Sequence, residues 1–546
     1  MSTPDLPPDY YFRNFCGLVD HVRAHHDDLL NDTERHQVST LRALPAQAQM
    51  RYVRMLMRRG NLFRLDRLQY AEIADTAQSA QTLEAAGLVR LDPDLPVEAV
   101  AGLYSKPEWL HTLADKVSTE QLRALRALKR AELDAELRNI YSGDRPCLPS
   151  TIIELRQPAW FDTFKLLYFG NLHQDLTEFV LRDLGLYRFE NYRIDRDTRL
   201  IENREQLQEL LDYYRLRDLR EEVLAGQPEG ILEYENSLQQ LGNGSRLLCK
   251  KVERDRLALA RQLERLDAPA EAVTLYERCM APPARERRAR LMSKAGEIGA
   301  SLKLCGDMLA SPRSEEEQFF AADFGYRTAR KNKLPWPQPQ KYIPPDALIR
   351  LDQDEYGVEA GVAAHLDANG ECHYVENTLF GGIFGLYYWD LIFAPAAGAF
   401  TNPFQYRPHD LYETDFLSLR GAQWRDPEVD FTRPKQLADE LIQRWQEKQG
   451  IANPFVAWEM LSPELIQSAL ERIPAAHWAA VFSRIWRAPR ENRSGLPDLI
   501  FFPADGGYEL LEVKGPGDRL QKNQLRWMQH FEAHQIPHKV INVEWR

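Results

Sequence analysis

Through most of the first 334 residues, apolar positions recur every three or four places, a period that predicts helices. Residues 51–68, RYVRMLMRRGNLFRLDRL, make one such stripe with Arg51, Arg54, Arg58, Arg59, Arg64 and Arg67 on the polar side, so a single basic-faced helix is expected there. A lone basic helix face is more often simply solvated than nucleic-acid-bound. Residues 105–138, SKPEWLHTLADKVSTEQLRALRALKRAELDAELR, predict about two short amphipathic helices meeting at Lys129-Arg130. Between 201 and 334 the pattern stays helical, and residues 254–309 read as helix–turn–helix units with a break at Pro282-Pro283. There Arg285, Arg287, Arg288 and Arg290 cluster, a group that could face DNA.

The texture then changes. LPWPQPQKYIPPD, residues 334–346, is stiff and cannot continue a helix, which marks it as a linker. ECHYV (371–375) is strand-like, and residues 376–393 predict one buried apolar helix whose aromatics, Phe380, Phe384, Tyr387, Tyr388 and Trp389, are core. Further helices precede LIFF and YELLEVK, two short strands separated by the turn residues PADGG. An amphipathic helix (519–534) and a last strand (538–545) complete an order of helix, three strands, helix, strand: an α/β core. The expected fold is multidomain, mostly α-helical in its N-terminal and middle regions, with an α/β domain last.

At 546 residues the chain is too long for one core, and 44% hydrophobic with 27% charged residues is an ordinary globular composition. No apolar run approaches the ~18 residues of a membrane span, and the acidic, proline-rich start carries no secretory signal. A cytoplasmic location is expected, and no membrane partner. Cys16, Cys147, Cys249, Cys279, Cys305 and Cys372 stand singly, which argues against structural zinc and against a disulfide framework. The net charge of −12 does not exclude nucleic acid, because partner choice follows local fields. Arginine far outnumbers lysine, which suits bidentate phosphate contacts, although GC-rich coding gives the same bias.

The chemistry concentrates at the two late strands. Asp498 leads the first, and Glu512-Val513-Lys514 ends the second. Pro-Asp alone says nothing, since it recurs at Asp5, Asp9, Asp94 and Asp346; but of the 16 lysines only Lys514 has an acid two residues before it. Glu512 and Lys514, two apart on a strand, share a face, and a hairpin brings Asp498 to them. Hard oxygen ligands of this kind select Mg²⁺ or Mn²⁺ over zinc, with the Val513 carbonyl at ligand depth. Such a metal holds a scissile phosphate and lowers the pKa of its water, while Lys514 orients the water or offsets transition-state charge.

These residues resemble the PD-(D/E)xK nuclease superfamily, whose members add an acid from the first core helix. Glu376, at the head of the apolar segment, is the candidate, with Glu371 and Glu359 as rivals. GLPDLIFF followed by YELLEVKGPGDRLQKNQLRWM resembles the VRR nuclease subgroup more closely. With LRDLGLYRFENY (181–192), the repeat-like middle and FGLYYWDLIF, nearly the whole chain resembles the Fanconi-associated nuclease family. The resemblance implies a helical DNA-binding region at 1–200 with a SAP-like module at about 70–140. A TPR-like repeat domain at 201–334, a linker and lead-in at 335–370 and a nuclease domain at 371–546 follow. It also implies a metal-dependent nuclease acting on 5′ flaps and branched DNA, with 5′-to-3′ exonuclease activity, in interstrand-crosslink repair. Glu376, Asp498, Glu512 and the Val513 carbonyl would ligate the metal, Lys514 would assist catalysis, and Asp518, Arg519 and Gln524 would support the site. The cysteine pattern does not match the ubiquitin-binding zinc finger of eukaryotic members, so a bacterial-type, monomeric, nucleoid-associated member is expected.

Two other readings use the same residues. One is a DNA-structure-binding scaffold with a degenerate nuclease fold, which an intact acid–acid–lysine set disfavours. The other is a Holliday-junction resolvase, which acts as a dimer.

Overall fold

The computed structural model describes residues 7–141, 149–176, 179, 188–242, 244–339, 342–352 and 357–546. Cys147, residues 181–187 of the LRDLGLYRFENY segment and Gln340-Lys341 of the proline-rich stretch lie outside them. The chain divides into two compact units: Met1–Leu186 with Ile201–Leu211, and Tyr187–Leu200 with Asp212–Arg546. The repeat-like region and the C-terminal sheet therefore belong to one unit. No helix among the described residues is long and apolar enough to cross a membrane.

In the first unit the 51–68 stripe is not one helix. The helix Ala46–Leu56 stops, the chain turns through Gly60 at φ 89°, and strand β1 (Leu62–Arg64) follows. β1 pairs with β3 (Ile152–Leu155), which also pairs with β2 (Val89–Leu91), giving the antiparallel order β1-β3-β2. The basic face dissolves accordingly. Arg51 is fully buried, donating to Ser79 Oγ at 2.6 Å and the Leu68 carbonyl at 2.9 Å. Arg54 pairs with Glu72 at 2.6 Å over the Tyr11 ring, and Arg64 is held by Asp66 and Glu108. Only Arg58, Arg59 and Arg67 of the six are exposed. The SAP-like stretch contains the helices Lys106–Leu113, Thr119–Ala127 and Arg130–Tyr141, one more than expected. Arg130 turns inward there to the carbonyls of Tyr104 and Ala101.

In the second unit the helices Arg246–Arg265, Pro269–Glu277, Ala284–Lys294, Ile298–Ala310 and Glu315–Lys331 pack each against the next, as a repeat array does. The arginine cluster of the third helix is committed within the array. Arg285 pairs with Glu317, Arg287 with Glu264 and Arg288 with Glu277, while Arg290 lies 4.5 Å from the Phe320 ring. Arg285, Arg287 and Arg288 thus tie neighbouring helices together, while Arg290 stays exposed over its ring.

The C-terminal sheet has the order β4-β8-β7-β6-β5, with β4 Asp346–Leu351, β5 Gly370–Tyr374, β6 Leu499–Pro503, β7 Glu509–Lys514 and β8 His538–Trp545. β5, β6 and β7 are antiparallel neighbours; β7, β8 and β4 run parallel. Gly506 (φ 106°) and Gly507 (φ 78°) make the tight turn from β6 to β7. The helix Lys522–Ala533 is the crossover that returns the chain to β8. Two features depart from the sequence reading. The stretch taken as linker and lead-in supplies β4 and the helix Val358–Leu366, which packs Val362 against Leu499, Leu511 and Val513. That helix, not the apolar one, is the first of the helix–β–β–β–helix–β core; its small residues give no clear apolar stripe to read. The apolar segment itself begins as helix at Leu379, three residues after Glu376, and breaks at Tyr388 into Leu379–Tyr387 and Trp389–Ile392.

The five aromatics of that segment are all buried, as their pattern predicted. Its glycines let the 453–461 segment approach. A Cβ on Gly385 would stand 2.7 Å from Val456 Cγ2 and 2.9 Å from Asn453 Oδ1. Replacing glycine by alanine inside a helix ordinarily gains about 1 kcal/mol. For Gly385→Ala the overlap should reverse the sign, costing about 1–3 kcal/mol in denaturant unfolding. A gain in stability would show that the close approach is soft.

Candidate active site

Strand register assembles the site at one end of the sheet. Leu499 pairs with Leu511, so Asp498 enters the sheet beside the end of β7. Its Oδ2 accepts the Val513 amide at 2.8 Å, and its carbonyl accepts the Val375 amide at 2.8 Å. Asp498 is thereby fixed to both neighbouring strands, with its carboxylate one residue from Glu512. Both faces of this sheet are covered. Val513 packs toward the helix Val358–Leu366, and Glu512, on the opposite face, is fully buried.

Glu512 Oε1 accepts Lys514 Nζ at 2.6 Å and Gln524 Nε2 at 2.5 Å. Its Oε2 is buried with no hydrogen-bond donor among the described residues. A buried carboxylate oxygen without a partner is costly, and its natural complement is a cation. Burial and the charge of Asp498 push the Glu512 carboxyl up to about 7, against the pull of Lys514. Burial likewise raises Asp498, with Glu376 and Glu359 adding to the rise and the Val513 amide and Lys514 opposing it. The strand ends are thus a concentration of negative charge held by a single lysine.

Glu376 lies in the turn between β5 and the helix at Leu379, not at a helix head. Its Oε2 accepts the Tyr374 hydroxyl at 2.5 Å and its Oε1 the Asn377 side-chain Nδ2 at 3.2 Å. Asn377, at φ 57°, also accepts the Leu496 amide, which ties this turn to the approach to Asp498. Among the described residues no three His, Cys, Asp or Glu side chains converge as metal ligands. Asp498 and Glu512 are brought together; Glu376 is held beside them by other donors. Of its rivals, Glu371 lies on β5 near His373, while Glu359 opens the first core helix and is felt electrostatically at Asp498.

The supporting residues separate. Gln524 caps its own helix by accepting the Gln521 amide and donates to Glu512, so it links the crossover helix to the site. Asp518 accepts the Gly515 amide at 3.2 Å and closes the loop after Lys514. Arg519 is exposed. Tyr374 was not singled out from sequence; an aromatic two residues before an acid carries no signal until the turn brings its hydroxyl back. Gln524→Ala should leave Glu512 with Lys514 alone and lower cleavage about tenfold or less, with flap binding intact in an electrophoretic shift assay.

A mixed sheet with a buried acid pair and a lysine at its strand ends is the architecture of a phosphodiester-cutting nuclease domain. Residues 432–545 match the VRR-NUC domain, and residues 9–90 match the FAN1 HTH domain. The chain is 35% identical to the Fanconi-associated nuclease 1 homolog of Pseudomonas aeruginosa, over 100% of this chain and 98% of that protein. It is 23% identical to human Fanconi-associated nuclease 1 over 96% of this chain and 61% of the human protein. In the rice homolog the match covers 61% of the protein at 25% identity. The crystal structure of paFAN1 bound to 5′-flap DNA with a 2-nt flap and a gap superposes with a TM-score of 0.84 at 34% identity, covering 100% of both chains. The chain belongs to the Fanconi-associated nuclease family, and to its bacterial type. It is a nuclease.

Proposed function

We propose that the protein is a structure-selective, divalent-metal-dependent DNA nuclease that hydrolyses phosphodiester bonds at 5′ flaps and branched DNA, with 5′-to-3′ exonuclease activity, in interstrand-crosslink repair. The observation that carries the reading is the buried Glu512 carboxylate with an orphaned Oε2 beside Asp498. These oxygen donors fit Mg²⁺ or Mn²⁺: hard, negatively charged and clustered beyond what one lysine neutralises. Asp498 and Glu512 would hold the ion with the Val513 carbonyl, joined by Glu376 on release from Tyr374 and Asn377. When bound, the ion supplies Lewis-acid activation of water and charge neutralisation at phosphorus.

The chain's own residues do the rest. Lys514 releases Glu512 and offers its ammonium to the attacking water or to a phosphate oxygen. Gln524 keeps Glu512 Oε1 oriented while that exchange occurs. The Val513 amide fixes Asp498, so the acid nearest the β7 end does not swing away. The flap-bound paFAN1 structure supports the substrate class, and a monomeric state and a cytoplasmic, nucleoid-associated location would accord with a bacterial-type member.

The test is incubation of labelled 5′-flap DNA with protein and Mn²⁺. Cleavage should appear with metal, vanish with chelator, and vanish in Asp498→Ala with flap binding retained. Metal-independent cutting, or equal cutting by the variant, would overturn the reading. If binding without cleavage is all that is seen, the scaffold reading takes its place; a dimer preferring four-way junctions would indicate a resolvase. Because phosphate contacts dominate such binding, affinity should fall steeply between ~50 and ~200 mM salt.

A further inference from the structure

At the far end of the Leu379–Tyr387 helix from Glu376, roughly 13 Å along the axis, lies a cavity of about 570 Å³. Its floor is aromatic: Tyr388 and Trp486, both buried, with Trp424 stacked on Tyr388 at 5.4 Å. Trp424 is nevertheless 45% exposed, and Leu419 and Val429 beside it in sequence are 51% and 56% exposed. Three of the twelve exposed large hydrophobics among the described residues thus fall within 419–429. Of these, Trp424 lines the cavity itself, and a half-exposed indole over an aromatic floor is the kind of apolar anchor that marks a recognition surface.

The rim tells which partner it fits. Asp426 and Glu428 line the cavity, both exposed, and neither carboxylate has a cationic partner among the described residues. The neighbouring Arg425 does not neutralise them, being committed to Asp430 and Glu440. Arg487 on the opposite side leans toward Glu315 at 3.5 Å. Asp426 also accepts the Glu428 backbone amide at 3.0 Å, yet neither carboxylate is ion-paired among the described residues. Two such carboxylates beside an exposed indole repel a phosphate backbone and attract a cation that can lie on the ring. We infer that this cavity is a protein-docking site, taking a partner segment that seats a large apolar side chain among Trp424, Tyr388 and Trp486 and sets an arginine or lysine against Asp426 and Glu428. The site is separate from the strand-end acids, so docking recruits the nuclease without occupying its DNA site.

The experiment is selection of a random-peptide display library on the full-length protein, with binding of the enriched peptides measured by calorimetry. Enriched sequences should pair an aromatic or large aliphatic residue with an adjacent Arg or Lys. They should bind Trp424→Ala about tenfold or more weakly. Glu428→Arg, a change at an exposed residue, should lose the same peptides and select acidic ones instead. Both variants should remain folded, Trp424→Ala unfolding somewhat earlier for loss of its stack on Tyr388. Both should retain basal DNA cleavage, with peptide binding to the wild-type protein the same when flap DNA is present. An empty selection, acidic winners on the wild-type protein, equal binding to Trp424→Ala, or displacement by flap DNA each overturns the proposal. Self-association that depends on Trp424 in sedimentation would make a second copy the occupant and overturn it as well.

Discussion

Glu512→Gln should abolish flap cleavage and at the same time make the metal-free protein more stable. The two effects share one cause. Glu512 is fully buried, one of its oxygens lacks a donor, and Asp498 stands beside it; its carboxyl is pushed from 4.5 to about 7. An acid whose folded pKa lies above its unfolded one penalises folding as pH rises. Below about 4.5 both states hold the proton and there is no penalty. Between about 4.5 and about 7 the unfolded chain ionises first, and the penalty grows; above 7 it is complete. At pH 8 it is on the order of 3 kcal/mol. A neutral amide of the same shape removes it, so Glu512→Gln should unfold later than wild type at pH 8 in chelator and equally at pH 4. Cleavage should fall about a thousandfold or more, since the amide is a poor metal ligand. Equal unfolding temperatures at pH 8 would mean that Glu512 is not strained in the resting protein.

Lys514→Ala should cost about a hundredfold in single-turnover cleavage with little loss of flap binding, the expected price of removing one transition-state cation. It should also move the pH profile. Lys514 hydrogen-bonds Glu512 at 2.6 Å and lowers its pKa. Without the ammonium, Glu512 holds its proton to higher pH, and that proton must leave before the carboxylate can ligate metal. The acid limb of the cleavage profile should therefore shift to higher pH at fixed Mn²⁺. A limb that stays in place would assign the titration to a group other than Glu512.

The fold thus places a strained acid pair at the strand ends, and under the proposed mechanism a bound divalent ion would relieve that strain. The apolar docking cavity lies elsewhere on the same unit, so recruitment and cutting can vary independently. The repeat array is joined to the nuclease sheet by specific ion pairs: Glu315 with Arg484, which lies over Trp527, and Glu316 with Arg526. Those contacts reach the crossover helix that carries Gln524.

What the sequence determined by itself was whatever local spacing decides. Short apolar runs bounded by turn residues make β6 and β7, PADGG makes the turn between them, and Glu512 and Lys514 fall on one face because strands repeat every two residues. The burial of Phe384 and its neighbours follows from an unbroken apolar run. Long-range choices were decided only by the tertiary structure. The arginines at 51, 64 and 285 look alike in sequence to those at 58 and 59, but partners distant in the chain, Ser79, Glu108 and Glu317, draw the first three inward. The helix Val358–Leu366 carries too little apolar contrast to be read, and it becomes a core element only because the sheet offers it Leu499, Leu511 and Val513. Glu376 was placed at a helix head by continuity of hydrophobicity; Asn377 in a left-handed conformation instead ends a turn there, and Tyr374 folds back onto it. The orphaned oxygen of Glu512 is the clearest case. Which lone pair a donor leaves unsatisfied depends on the register of β7 against β8 and on where Gln524 arrives, and neither is written in the spacing of residues along the chain.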